Sequence, residues 1–285
     1  MVEQQGVGGA ERRTAAVMTR GDAGSENLDV GVVLSKVPEV TLAFWAIKVL
    51  ATTVGETGGD ALSMTLGLGY AVSTLIYLAF FAVVLVAQVR TSRYHPFLYW
   101  AVVVATTTVG TTTSDYLDRT LGLGYVRSSV LLFGTVLAVL ALWRHTTGAI
   151  EFEQITRRSN ETFYWLTILV ANTLGTALGD FVATTTGLGF ERGALVFASL
   201  LALVAGAYVV TRIPTALLFW AAYVLTRPLG ATLGDTLTKS HAEGGLALGR
   251  ISSSLVIAGC MVLGILLTVR RSAPLPEGSR EQRAA

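Results

Sequence analysis

Long apolar runs alternate with short polar breaks along most of the chain. Eight apolar stretches can be marked, at about residues 39–64, 70–89, 95–118, 125–143, 162–184, 192–211, 214–238 and 250–269. Each is long enough to cross a hydrocarbon core, which takes about 20 residues of helix. The runs are continuous and not alternating, so they predict helices rather than the strands of a barrel. In the odd-numbered stretches the apolar pattern is interrupted at helical spacing. Steps of three and four back from Asp60 reach Glu56, Thr52, Lys48 and Trp45. The second stretch of this kind carries Asp115, Thr111, Thr107 and Trp100, and the third Asp180, Thr176, Asn172 and Trp165. The fourth carries Asp235, Ala231, Arg227, Tyr223 and Trp220. A polar stripe of this kind cannot face lipid, where a charged side chain near mid-bilayer costs at least about 2.5–3.5 kcal/mol. The pattern therefore predicts an all-α membrane protein of eight transmembrane helices, with the odd helices forming a polar inner ring and the even ones wrapped around it.

The stripes are copies of one unit. Gly55 and Asp60 return as Gly110 and Asp115 after 55 residues, as Gly175 and Asp180 after another 65, and as Gly230 and Asp235 after another 55. A Gly-rich turn follows each Asp, for example Thr65-Leu66-Gly67-Leu68-Gly69-Tyr70, and lets the chain reverse. Each unit reads as a helical hairpin. With two spans per unit, all four enter from the same side, giving four parallel tandem hairpins rather than inverted repeats. Residues 37–144 form the first membrane half and 161–271 the second. Residues 145–160 form a linker between them, and 1–36 and 272–285 are expected to be disordered tails. The glycines within the stripes suit either close helix packing or local breaks whose freed carbonyls hold an ion. The tryptophans are expected to anchor the membrane interface.

Hydrophobic residues make up 52% and charged residues 14%, with a mean hydropathy of +0.59, which excludes an ordinary soluble domain. With the N-terminus inside, fourteen Lys and Arg fall in the tails and even-to-odd joints and five on the other side. That bias predicts cytoplasmic termini. Cys260 is the single cysteine, so an internal disulfide is excluded. His95, His145 and His241 stand apart from one another, and no Gly-rich nucleotide loop occurs. The expectation is a protein without enzymatic activity or a cofactor, with the bilayer as its partner, no nucleic acid, and room for an oligomer.

Candidate chemistry rests on the repeated acids. Arg127 and Arg192 lie twelve residues after Asp115 and Asp180, and Arg250 fifteen after Asp235. Across a tight hairpin each could staple its own Asp, leaving those acids either structural or ligands. In the first unit Val72 takes the place of the Arg, so Glu56 and Asp60 are expected to lack a hairpin partner. Two carboxylates one turn apart among hydroxyls suit a hard divalent cation, and the same pair could hold a proton. Glu56 and Asp60 are the candidate metal ligands, with Asp115, Asp180, Asp235 and Asn172 as supporting ion-binding residues. Lys48 and Arg227 are the charge-balancing cations.

Four tandem two-helix units, each with an aromatic-Trp pair (Phe44-Trp45, Tyr99-Trp100, Tyr164-Trp165, Phe219-Trp220), open with Lys36-Val37-Pro38-Glu39-Val40-Thr41. Together with Lys48 and Thr52-Thr53-Val54-Gly55-Glu56-Thr57, they resemble a bacterial integral membrane protein family defined by a tandem repeat of unknown function. The resemblance covers about residues 36–270 and implies the architecture and a bacterial inner membrane. Glu56-Thr57-Gly58-Gly59-Asp60 is also similar to the Glu-x-Gly-Asp motifs of membrane manganese and calcium exporters, with one residue more in the spacing. The leading expectation is a transporter or exporter of a small cation, a divalent metal such as manganese before others. The alternatives are a non-transporting membrane scaffold and a gradient-driven transporter of a small organic acid held by Lys48 and Arg227.

Overall fold

A computed structural model describes residues 38–91, 93–148, 150 and 158–272. The expected tails, apart from Ser272 at the end of the last helix, and residues 149 and 151–157 of the expected linker lie outside the described residues. Eight long α-helices account for most of the rest, and no strand occurs among the described residues: α1 (Leu42–Asp60), α2 (Gly69–Arg90), α3 (Pro96–Asp115), α4 (Gly124–Thr147), α5 (Arg158–Asp180), α6 (Phe190–Val210), α7 (Thr215–Thr238) and α8 (Arg250–Ser272). Local chemistry sets their ends. Thr41 accepts the Phe44 N–H at the start of α1, and Pro96 opens α3 where its missing N–H is harmless. Past Asp60, Asp115 and Asp180 the helices widen into π-helical turns, Ala61–Thr65, Tyr116–Thr120 and Phe181–Thr185. Gly67, Gly69, Gly122, Gly124, Gly187 and Gly189 then take positive φ angles and reverse the chain. In the fourth unit α7 runs on to Thr238 without such a turn.

Among the described residues, five helical segments are long and apolar enough to cross a membrane: those at Gly69–Arg90, Gly124–Thr147, Ser159–Thr185, Phe190–Val210 and Arg250–Arg270. This is the composition of a multi-pass membrane protein. Of the eight apolar stretches of the sequence, five meet this length and composition. Helices α1, α3 and α7 fall short because Thr, Gly and charged residues occupy their stripes.

Packing separates two classes of helix. Helix α1 packs against α3 and α7, and α5 packs against the same two. Each even helix packs mainly on the odd helix of the following unit, α2 on α3, α4 on α5 and α6 on α7, while α8 returns to α1. Ser254 Oγ of α8 donates to Thr57 Oγ1 of α1 at 2.8 Å. The even helices turn side chains such as Leu75, Val83, Val130, Leu195, Leu203 and Leu255 outward. The odd helices bury Thr52, Thr107, Thr111, Thr176 and Thr226. Between the halves, Trp143 Nε1 donates to Asn160 Oδ1 at 3.3 Å.

Four equivalent glycines bring the odd helices together. A side chain at Gly55 would run into Thr107, one at Gly110 into the Asn172 and Thr173 backbone, one at Gly175 into Arg227, and one at Gly230 into Thr52. The glycines are close-contact positions in continuous helices, not breaks. The aromatic pairs repeat the relation near the N-terminal ends of the odd helices. Phe44 meets Trp100 at 5.5 Å, Tyr99 meets Trp165 at 5.5 Å, Tyr164 meets Trp220 at 6.2 Å, and Phe219 meets Trp45 at 5.7 Å. Edge-to-face and tilted pairs of this kind are worth about 0.5–1.5 kcal/mol each beyond the area they bury. Trp100 and Trp165 are buried, so these tryptophans join neighbouring helices where interface anchors were expected.

Candidate functional site

The stripes carry their polar side chains in successive levels, one helical turn apart. Asp60, Asp115, Asp180 and Asp235 form the level at the C-terminal ends of the odd helices, and all four are buried. Glu56, Thr111 and Thr176 lie one turn deeper, then Thr52, Thr107, Asn172 and Arg227, then Lys48 and Tyr223.

Arg227 binds across the interior. Its Nη2 lies 3.0 Å from Glu56 Oε2 on α1 and 2.7 Å from Thr111 Oγ1 on α3, and it also donates to Thr176 Oγ1 on α5. Thr111 Oγ1 is itself 3.1 Å from Glu56 Oε2. One guanidinium from α7 therefore reaches all three other odd helices. The neighbouring threonines tie the same helices through their backbones. Thr52 Oγ1 donates to the Thr226 carbonyl at 3.1 Å, and Thr107 Oγ1 to the Ala51 carbonyl at 3.3 Å. Asn172 Nδ2 donates to Thr106 Oγ1 at 2.9 Å, which ties its amide to α3.

The aspartates fall into two pairs, each bridged by a cation. Lys239 Nζ lies 3.0 Å from Asp60 Oδ2 and 3.1 Å from Asp235 Oδ1. Arg119 Nε lies 2.9 Å from Asp115 Oδ1, with its Nη2 3.9 Å from Asp180 Oδ2. Arg250 Nε adds a contact to Asp60 Oδ2 at 3.5 Å. The cross-hairpin staples are thus corrected. Asp115 and Asp180 use Arg119, while Arg127 and Arg192 are exposed on α4 and α6. Those helices pack on the next unit and carry their arginines away from their own Asp. Arg250 contacts Asp60 and not Asp235, because α8 docks on α1. Glu56 and Asp60, expected to lack a partner within their own hairpin, pair with Arg227 and Lys239 of the fourth unit.

Lys239 and Arg119 were missed as site residues, although each stands four residues after an Asp, the spacing of a same-face helical pair. Lys239 is held in place by the loop after α7. Ala247 N donates to its carbonyl at 2.9 Å and Leu248 N to that of Leu237 at 2.8 Å, folding residues 246–248 over the helix end. Gly245 is required there, since a side chain would strike the Lys239 carbonyl. In the exposed turn, Ser240 hydrogen-bonds Glu243 and holds its carboxyl below the ordinary value.

The carboxylates of the stripes, Glu56, Asp60, Asp115, Asp180 and Asp235, are almost wholly buried, as are the cations Lys48, Arg227 and Lys239. Arg119 and Arg250, with side chains 33% and 23% exposed, stand at the rim and supply the remaining positive charge. Glu56, Asp60 and Asp235 each offer a carboxylate oxygen, and the three oxygens lie within 4.8 Å of one another. Two ligands on opposite sides of a divalent cation with oxygen distances of about 2.1–2.4 Å would be separated by about 4.2–4.8 Å. The donor set is therefore hard, anionic and of the right dimension for such an ion. Asp115 and Asp180 sit outside this trio on Arg119.

Residues 43–94, 98–149, 163–213 and 218–273 each match the family model described as Repeat of Unknown Function (DUF347). Every match covers most of one odd helix and the even helix that follows it, and their starts reproduce the steps of the Asp residues. No curated protein and no solved structure matches the chain.

Proposed function

The chain belongs to the DUF347 repeat family, and from that premise we propose a transporter of the bacterial inner membrane that moves a small cation. In this reading all eight helices span the bilayer with both termini cytoplasmic. The four odd helices form a closed inner ring, and its substrate is a divalent metal such as manganese. The observation that carries the reading is the trio Glu56, Asp60 and Asp235, three buried carboxylates whose oxygens approach within 4.8 Å. Like charges in a low-dielectric interior are strongly unfavourable unless a cation lies among them. Lys239 fills that role at rest as a cation tied to the chain. A mobile cation that enters the trio displaces the ammonium, and return of Lys239 expels the ion. Asp115 and Asp180, bridged by Arg119, provide a second acidic pair beside the path. The charge-balancing role passes chiefly to Arg227 and Lys239.

Purified full-length protein in proteoliposomes tests the proposal, with Mn²⁺ flux followed by an enclosed indicator dye. Saturable flux in wild type and its loss in Glu56→Gln is the expected outcome. A folded wild-type protein that neither binds nor moves any ion of a Mg²⁺, Ca²⁺, Mn²⁺ and Zn²⁺ panel overturns it.

A non-transporting scaffold is the competing reading, supported by the internal pairing of all five acids. Under it Asp60→Asn lowers stability and no metal binds. A folded Asp60→Asn protein that has lost only metal binding favours transport.

A further inference from the structure

Two turns deeper than the carboxylate trio, the interior changes sign. Lys48 is completely buried on α1, its Nζ 4.2 Å from the ring centroid of Tyr223 on α7, and that ammonium has no hydrogen-bond acceptor. The Tyr223 hydroxyl, equally buried, also lacks a partner. One turn along α7, Arg227 commits Nη2 to Glu56, Thr111 and Thr176, but its Nε and Nη1 have no acceptor. An ammonium and a guanidinium can only donate, and a phenol readily does so. Four buried donor atoms on three side chains, at neighbouring levels of two packed helices, therefore face no acceptor among the described residues.

The charges are as unbalanced as the hydrogen bonds. Glu56 matches Arg227, whereas Lys48 has no carboxylate against it. A cation over an aromatic face recovers only part of what a buried unpaired ion loses on leaving water. What the layer lacks is one negative charge and an acceptor able to take hydrogen bonds from several directions.

We propose that Lys48, Tyr223 and Arg227 form a binding site for a small monovalent anion of halide size. Lys48 supplies the matching charge, and the Tyr223 O–H and a free N–H of Arg227 complete the shell. Arg227 is then shared between the two layers, Nη2 on Glu56 and its remaining donors toward the anion. Lys48 precedes Asp60 by twelve residues, about 18 Å along the helix. The anion site is therefore centred deeper than the proposed cation site, and the two adjoin at Arg227, whose Nη2 holds Glu56 of the trio.

The test uses the purified full chain in detergent with EDTA, so that no divalent cation contributes, and potassium gluconate to hold ionic strength. Chloride and bromide are titrated while the thermal midpoint is followed. Wild type is expected to show a saturable rise of several degrees. Tyr223→Phe needs about tenfold more halide for the same rise, and Lys48→Met loses the response. A crystal grown in bromide is expected to give an anomalous peak beside Lys48 Nζ. A wild-type midpoint indifferent to halide, an unchanged response in Lys48→Met, or bromide density only at the surface overturns the proposal. Should Lys48→Met fail to fold, Tyr223→Phe and the bromide position decide. Failure of metal binding with a positive halide response would reject the cation reading alone.

Discussion

Replacing Arg227 with Met removes the cation that joins the four odd helices and leaves Glu56 charged, buried and unmatched. The bond lost is 3.0 Å long between side chains only 0% and 3% exposed, so water cannot substitute for it. Breaking a buried pair by deleting one partner typically costs about 3–5 kcal/mol, chiefly the penalty on the charge left behind. At about 2–4 °C per kcal/mol for a chain of this size, the thermal midpoint should fall by roughly 6–20 °C. The double variant Arg227→Met/Glu56→Gln removes both charges and keeps an acceptor for Thr111, so it should recover most of the loss. Midpoints of the wild type, both single variants and the double variant in detergent close the cycle. A loss below about 1 kcal/mol in Arg227→Met would refute the reasoning, as would losses that simply add in the double variant.

Close approach of the odd helices predicts that Gly230→Ala, whose new methyl strikes Thr52, costs about 1–3 kcal/mol, and that adding Thr52→Ala relieves much of it in the same melt. Gly134→Ala, with no atom within 4 Å of its added carbon, should be neutral or slightly stabilising. Lys239→Met removes the cation between Asp60 and Asp235; equilibrium Mn²⁺ binding by the purified protein should tighten by about tenfold or more, equivalent to about 1.4 kcal/mol, and weaker binding counts against the displacement scheme. Trp165→Ala should cost about 3–5 kcal/mol, as loss of a large buried aromatic does, where an interfacial anchor would give a smaller change in midpoint.

The repeats were legible because Gly, Asp and Trp recur at fixed steps, and the matched family segments follow those steps. The inward direction of the stripes was legible too, since Lys48 and Arg227 on an outer face would have met lipid. Which even helix covers which odd helix was not. Identical units carry no mark of their neighbour, so pairing within each hairpin was the natural expectation, and it misplaced Arg127, Arg192 and Arg250. The i, i+4 pairs Asp115/Arg119 and Asp235/Lys239 were present in the sequence, but the Gly-rich turns beside them drew both basic residues into the count of loop charges. Their bridging to Asp180 and Asp60 depends on distances between units, which spacing along one helix cannot supply. Nothing in the composition of Phe44, Trp45 and their equivalents distinguishes a ring-to-ring contact from an interfacial belt.

The offset packing of the even helices bears on biosynthesis. As the nascent chain leaves the ribosome, α2, α4 and α6 can each find the odd helix that follows within a few tens of residues. Helix α1, made before the other seven, must wait for α7 and α8 before its remaining flanks are covered. Closure of the assembly is thus deferred until α8 has been made, and a transcript truncated ahead of α8 would yield a product with α1 still bare along one side.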